Sequence, residues 1–152
     1  MNQLVMDVSH SQLAVFDGTL DKPFNDWTDR HVLQGFSWRP RSVSFRTLIE
    51  WGRMEVEVVV GVFGPSDQAG RVISVPFECG VESRVEIATI TSSRIVELEP
   101  GTYQLVYETG QRGERSWSRV TFVRNGSLSP AILLQDVELD PVYPFLMEAT
   151  PA

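Results

Sequence analysis

The chain has 152 residues, 42% hydrophobic and 22% charged, which fits one ordinary globular domain with a real core and excludes wholesale disorder. No apolar run approaches the roughly 18 residues of a membrane helix, so membrane insertion is not expected, and the single cysteine, Cys79, excludes an internal disulfide. The formal charge of −7 is concentrated at the ends: residues 1–29 hold five aspartates against one lysine, and beyond Arg124 four carboxylates stand with no Lys or Arg, the opposite of the basic stripe that nucleic-acid phosphates require.

The first stretch, Met1–Asp7, lacks the basic and long apolar regions of a secretory signal, so the expected compartment is the cytoplasm, in keeping with cysteine usage. Strands are expected at Val5–Ser9 and Gln12–Asp17. The next segment, Asn25–Gly35, changes period. Asn25 or Asp26 reads as an N-cap, Asp29 follows three residues after Asp26, and Gly35 is placed as a C-terminal stop, so a short helix of two to three turns is expected there.

Beyond it the alternation resumes, with strands expected at Val43–Ile49, Met54–Val62, Val72–Phe77, Val85–Ile90, Ile95–Leu98, Tyr103–Thr109, Ser118–Arg124 and Ala131–Leu139. In the clearest of them Met54, Val56, Val58, Val60 and Val62 share one face at period two, and Glu55 and Glu57 are expected to face water. Gly64–Gly70, Arg112–Glu114 and Asn125–Gly126 read as loops and turns. Pro100 and Gly101 make a turn before Tyr103, an arrangement like the tyrosine corner of Greek-key sandwiches. The two prolines of 140–147 favour an extended arm over a strand.

The expected fold is all-β: a two-sheet antiparallel β-sandwich, immunoglobulin-like, with one inserted helix near residues 26–34. Residues 1–140 form the domain and 141–152 a C-terminal extended tail. Edge strands of such a sandwich can pair across a two-fold axis, so a homo-oligomer stays open.

The catalytic inventory is thin. His10 and His31 share no metal-ligand spacing with each other or with Cys79, so no metal is expected, and no phosphate loop or nucleophile elbow appears. No cofactor and no enzymatic activity are expected. Four tryptophans remain: Trp27 and Trp38 read as core or helix-docking residues, while Trp51 and Trp117, beside turns, read as surface groups. Such a pair could stack on a sugar, which gives the alternative function of a ligand- or carbohydrate-binding module, or anchor a protein interface.

The run Trp27-Thr28-Asp29-Arg30-His31-Val32-Leu33-Gln34-Gly35-Phe36-Ser37-Trp38-Arg39-Pro40-Arg41-Ser42-Val43-Ser44-Phe45 resembles the competence protein J family of nuclease inhibitors. So do Val8–Asp17 before it and Ile73–Phe77 and Leu98–Leu105 after it, in order, over residues 8–109. The resemblance implies an inhibitor, or an immunity-type protein, that binds a cognate nuclease and blocks its action on DNA without touching DNA itself. It implies a structural role for Trp27, Thr28, Gln34, Gly35, Phe36, Phe45, Pro100, Gly101 and Tyr103. Under this reading a basic nuclease would face Asp17, Asp21, Asp26, Asp29, Asp136, Glu138 and Asp140, with Trp117, Tyr143 and Phe145 as apolar anchors. Arg39 could hold a loop or a partner carboxylate.

Overall fold

The computed structural model describes residues 2–152; Met1, where the reading of the N-terminus begins, lies outside them. The strands in chain order are β1 (Asn2–Val8), β2 (Gln12–Asp17), β3 (Phe36–Arg39), β4 (Ser42–Arg46), β5 (Gly52–Val60), β6 (Ala69–Cys79), β7 (Arg84–Ala88), β8 (Ser93–Glu97), β9 (Gly101–Arg112), β10 (Arg115–Arg124) and β11 (Ala131–Leu134), with helix α1 (Asp29–Gln34) between β2 and β3. They form two sheets. One has six strands in the order β1-β5-β10-β9-β6-β11, the other five in the order β3-β4-β2-β7-β8.

The sheets face each other through the period-two faces that the sequence shows. Met54, Val56 and Val58 of β5, Leu105 and Tyr107 of β9 and Val120 and Phe122 of β10 meet Leu13 and Val15 of β2, Phe45 of β4 and Ile87 of β7 in one core. The Phe45 and Tyr107 rings stack across it with centroids 4.6 Å apart. Phe36 and Phe45 are fully buried. Tyr103 closes a tyrosine corner: its hydroxyl donates to the Glu99 carbonyl at 2.7 Å and accepts from Arg124 Nη1 at 2.9 Å, while Arg124 Nη2 holds the Pro100 carbonyl at 2.7 Å and lies against Gly101.

Several expectations need correction. The sandwich is not wholly antiparallel, because β5 and β10 pair in parallel; they are distant in sequence, so no hairpin fixes their relative direction. Strand β3 was not expected. The face of β5 ends early, since Val60 and Val62 are exposed, and the Ala131–Leu139 strand stops at Leu134.

The largest correction concerns Trp117 and Glu57, which are buried: Trp117 is 0% exposed and Glu57 3%. Both lie on the outer face of the six-stranded sheet, and the Gly61–Gln68 loop folds back over that face. Ser66 N–H donates to Glu108 Oε2 at 2.9 Å and Arg119 Nη2 to the Gly64 carbonyl at 2.7 Å. Beneath the loop, Trp117 Nε1 donates to Glu57 Oε1 at 2.9 Å, and the Arg112 guanidinium lies 4.4 Å above the indole centroid. Gly110 is required here, since a Cβ on it would stand 2.0 Å from the Gln68 carbonyl oxygen. Burial alone would raise the Glu57 carboxyl, but the Trp117 and Arg112 hydrogen bonds and the charges of Arg112 and Arg119 outweigh it and hold it low.

The corner gives a direct test of these contacts. Tyr103→Phe should lower unfolding stability by about 1–2 kcal/mol, because it leaves the Glu99 carbonyl and an Arg124 N–H short of a partner. Urea unfolding should show a lower midpoint at an unchanged slope.

Candidate functional site

Helix α1 is short, and its ends are fixed by local chemistry. Its N-cap is Thr28, not Asn25 or Asp26: Thr28 Oγ1 accepts from the His31 N–H at 3.4 Å, and His31 Nδ1 accepts from the Thr28 N–H at 3.0 Å, which closes a capping box with histidine in the place of the usual glutamate. The other ring nitrogen, Nε2, donates to the Glu148 carbonyl at 3.0 Å, so both contacts select the tautomer with hydrogen on Nε2. Gly35 ends the helix at φ +85°, and a Cβ there would stand 2.9 Å from Ile73 Cδ1 and 3.0 Å from Leu139 Cδ2. His31 is therefore structural.

Asn25 is spent on the fold. Its Nδ2 donates to the Ser37 and Ser42 carbonyls at 2.8 and 3.0 Å, and its Oδ1 accepts from Arg39 Nε at 2.7 Å. Arg39 also reaches the Lys22 carbonyl at 2.6 Å. These bonds hold the loop before the helix. Trp27 bonds Gln12 Oε1 at 3.2 Å, and Trp38 bonds the Pro76 carbonyl at 2.7 Å, so both indoles are docking groups.

The C-terminal arm, 135–152, retraces this segment backwards. The Asp140 N–H donates to the Leu33 carbonyl at 3.0 Å, and the Arg30 guanidinium binds the Pro144 carbonyl. The Gln34 amide bonds the Leu146 N–H and C=O at 2.9 and 3.0 Å, the Asp26 N–H donates to Thr150 at 2.8 Å, and the Ala152 N–H to Phe24 at 2.8 Å. Leu139 enters the core, and Phe145 packs on Phe36 at 5.5 Å between centroids.

Arg71 fixes where the arm begins. Its guanidinium is 0% exposed; Nε and Nη2 grip Asp136 at 2.7 and 2.8 Å, Nη2 also meets Glu138 at 3.2 Å, and Nη1 donates to the Arg46 carbonyl at 2.7 Å. Burial alone would raise the Asp136 carboxyl; the hydrogen bonds and charge of Arg71 overcome that and hold it below the ordinary aspartate value. Nothing in the sequence marks Arg71 as buried, because it stands one residue before an ordinary alternating strand.

The two acidic ends of the chain thus lie side by side. Asp26, Asp29, Asp140 and Glu148 are exposed and make no ion pair among the described residues, while Glu138 is exposed but pairs with Arg46 and Arg71. Arg30 is held among them by the Pro144 carbonyl of the arm, and Arg46 by the Val32 and Glu138 carbonyls at 3.3 Å each. Asp21 is exposed in the loop after β2, and Tyr143 is 64% exposed on the arm, edge-on to the half-buried Phe145 with ring centroids 4.9 Å apart.

Three expected partner-facing residues are placed otherwise. Asp17 is buried, its carboxylate accepting from the Thr19 and Gly80 N–H groups at 3.0 and 2.9 Å. Asp136 is committed to Arg71. Trp117 lies under the Gly61–Gln68 loop, which also removes one of the two rings of a sugar-stacking platform.

Cys79 is buried, and burial followed by the charge of Asp17 pushes its thiol up, so it lacks the character of a nucleophile. No group of three or more His, Cys, Asp or Glu among the described residues is arranged to hold a metal. No helix among them is long and apolar enough to cross a membrane. The arm and the helix segment together present exposed carboxylates on a hydrogen-bonded backbone.

Comparison with known proteins adds two findings. The model of the competence protein J (ComJ) family matches residues 5–123. The fold is similar to the crystal structure of ComJ from Bacillus subtilis, which is described as an inhibitor of the DNA degrading activity of NucA; the TM-score is 0.72 at 20% identity, over 81% of this chain and 95% of that one. No curated protein matches the chain.

Arg71 and Asp136 carry the prediction here. Asp136→Asn should lower stability at neutral pH by about 2–3 kcal/mol, because a buried cation loses its main counter-charge. Since the folded carboxyl is depressed, its stabilisation is complete above the ordinary pKa of about 3.9 and disappears as pH falls through the lower folded value. The gap between wild type and variant, read by denaturant unfolding, should therefore close below about pH 4.

Proposed function

Because the chain belongs to the competence protein J family, we propose that it is a nuclease inhibitor that acts by binding its nuclease and keeping DNA from the enzyme's cleft. The observation that carries this reading is the convergence of the two acidic chain ends. Asp26 and Asp29 from the helix segment stand beside Asp140 and Glu148 of the arm on a backbone held by hydrogen bonds along its length. A DNA-cleaving site must attract phosphates, so its surroundings are positive, and fixed carboxylates on a rigid body complement that field. The similarity of fold to an inhibitor of NucA supports the same direction. Catalysis by this chain is not part of the reading; it works through shape and charge.

The proposed partner is a basic protein, and nucleic acid is not bound directly. The ridge sets encounter rate and orientation, whereas dissociation depends on the apolar contacts at its centre. The first experiment is retention of NucA-like nucleases from the same genome on the immobilised chain, followed by a DNA-degradation assay. The expected result is one nuclease retained and silenced at stoichiometric inhibitor. Retention and inhibition of none would sink the reading. For that pair, Asp26→Lys combined with Glu148→Lys should slow association about ten-fold at low salt and flatten its salt dependence, measured by stopped flow.

A further inference from the structure

The turn between β1 and β2 is built under strain. His10 and Ser11 are consecutive non-glycine residues with φ of 57° and 55°, a conformation that costs of order 1 kcal/mol for each and that persists only where its surroundings enforce it. Two backbone bonds do so: Ser11 N–H to the Glu50 carbonyl at 3.2 Å, and Thr47 N–H to the Ser11 carbonyl at 2.9 Å. Their effect is to bring His10 against Trp51, with ring centroids 5.1 Å apart. Beside His10, the hydroxyl of Ser9 is buried without a partner.

Trp51 is 61% exposed, although a tryptophan that served only packing would be expected to bury its ring. Next to the pair is a depression lined by His10, Ser11, Gln12, Trp27, Val32 and Arg46. Its walls are already fixed: Trp27 is held by Gln12 at 3.2 Å, and the cation of Arg46 is answered by Glu138 at 3.5 Å. Asp29 lies three residues before Val32 on α1 and so shares its side of the helix. With Arg46 already answered by Glu138, the charge left beside the Trp27 and Trp51 rings is that of Asp29, exposed and without an ion pair among the described residues, and this combination suits one side chain above others. Arginine stacks its plane and stem on aromatic rings and offers its fork to acids.

We infer that the strained His10–Trp51 turn and the depression beside it form the anchor pocket of the partner interface, which takes an arginine side chain from the basic surface of the nuclease. The inference rests on the inhibitor reading and adds to it a location and a bound group. The pocket adjoins the acidic ridge through Asp29, so charge steers the partner onto the same region where the aromatic pair retains it.

The test is titration of a NucA-like nuclease from the same genome with wild type, Trp51→Ala, Trp51→Phe and, on the distant β8 edge, Ile95→Ala, each first checked for unchanged thermal unfolding. Trp51→Ala should weaken inhibition about 30-fold or more, Trp51→Phe should retain most of it, and Ile95→Ala should remain within about two-fold. A double-mutant cycle of Trp51→Ala against surface Arg→Ala variants of the nuclease should give about ten-fold coupling for one arginine. Inhibition by Trp51→Ala within about two-fold of wild type overturns the pocket while leaving the inhibitor reading intact, and coupling to no arginine overturns its proposed occupant. Failure of wild type itself to inhibit removes both, and the first titration distinguishes that case.

Discussion

The buried guanidinium of Arg71 constrains more of this molecule than any other group. It stands on β6, within the six-stranded sheet, and bonds the Arg46 and Thr47 carbonyls at the end of β4 in the other sheet. Among the described residues its charge is answered by Asp136 and Glu138 alone. An arginine without solvent and without a carboxylate is among the costlier arrangements in a protein interior. One side chain therefore ties both sheets to the start of the arm, and from there the Leu139 and Phe145 contacts carry the arm back across α1. The pair need not make the protein more stable than an apolar substitute of the same shape would. What it specifies is position.

Position is what the proposed inhibitory role needs. Carboxylates on a loose tail would attract a basic partner but would lose conformational entropy on docking. Here the arm's backbone is satisfied along α1 by Gln34, His31 and the loop before the helix, so its charges are presented already ordered. The strained turn at His10 and Ser11 plays the same part for Trp51. Part of the outer face of the six-stranded sheet is covered by its own loop over Trp117, Glu108 and Arg119. The helix, the arm and the β1–β2 turn together present exposed carboxylates and the exposed rings of Tyr143 and Trp51.

Much of the fold was legible from residue patterns, for reasons that are local. Period-two alternation located most strands because each has one face in the core, as Met54, Val56 and Val58 show. Gly35 and Tyr103 were readable because a helix stop and a corner have fixed chemistry. The failures share a cause: they depend on chain folded over from elsewhere. Glu57 and Trp117 read as surface because nothing in β5 or β10 shows that the Gly61–Gln68 loop covers them. Asp17 read as free because Gly80, which it caps, is distant in sequence. Acidity at both ends was plain from composition, but the meeting of the two ends depends on Arg71, whose burial no periodicity reveals. The candidate site was thus legible as a set of charges and not as a place, and Trp51 was noticed without its partner His10.

The register of the Arg71–Asp136 contact also bears on how such a chain can change over generations. The family match ends at residue 123, so Arg71 lies inside the shared core and its counter-charges lie beyond it. The two halves depend on each other: the arginine without the arm is a stranded cation, and the arm without the arginine loses the contact that fixes where it begins. A recombination joining this core to another C-terminus, or this C-terminus to another core, would have to carry both halves together. The ridge and its anchor are in that sense a single heritable unit.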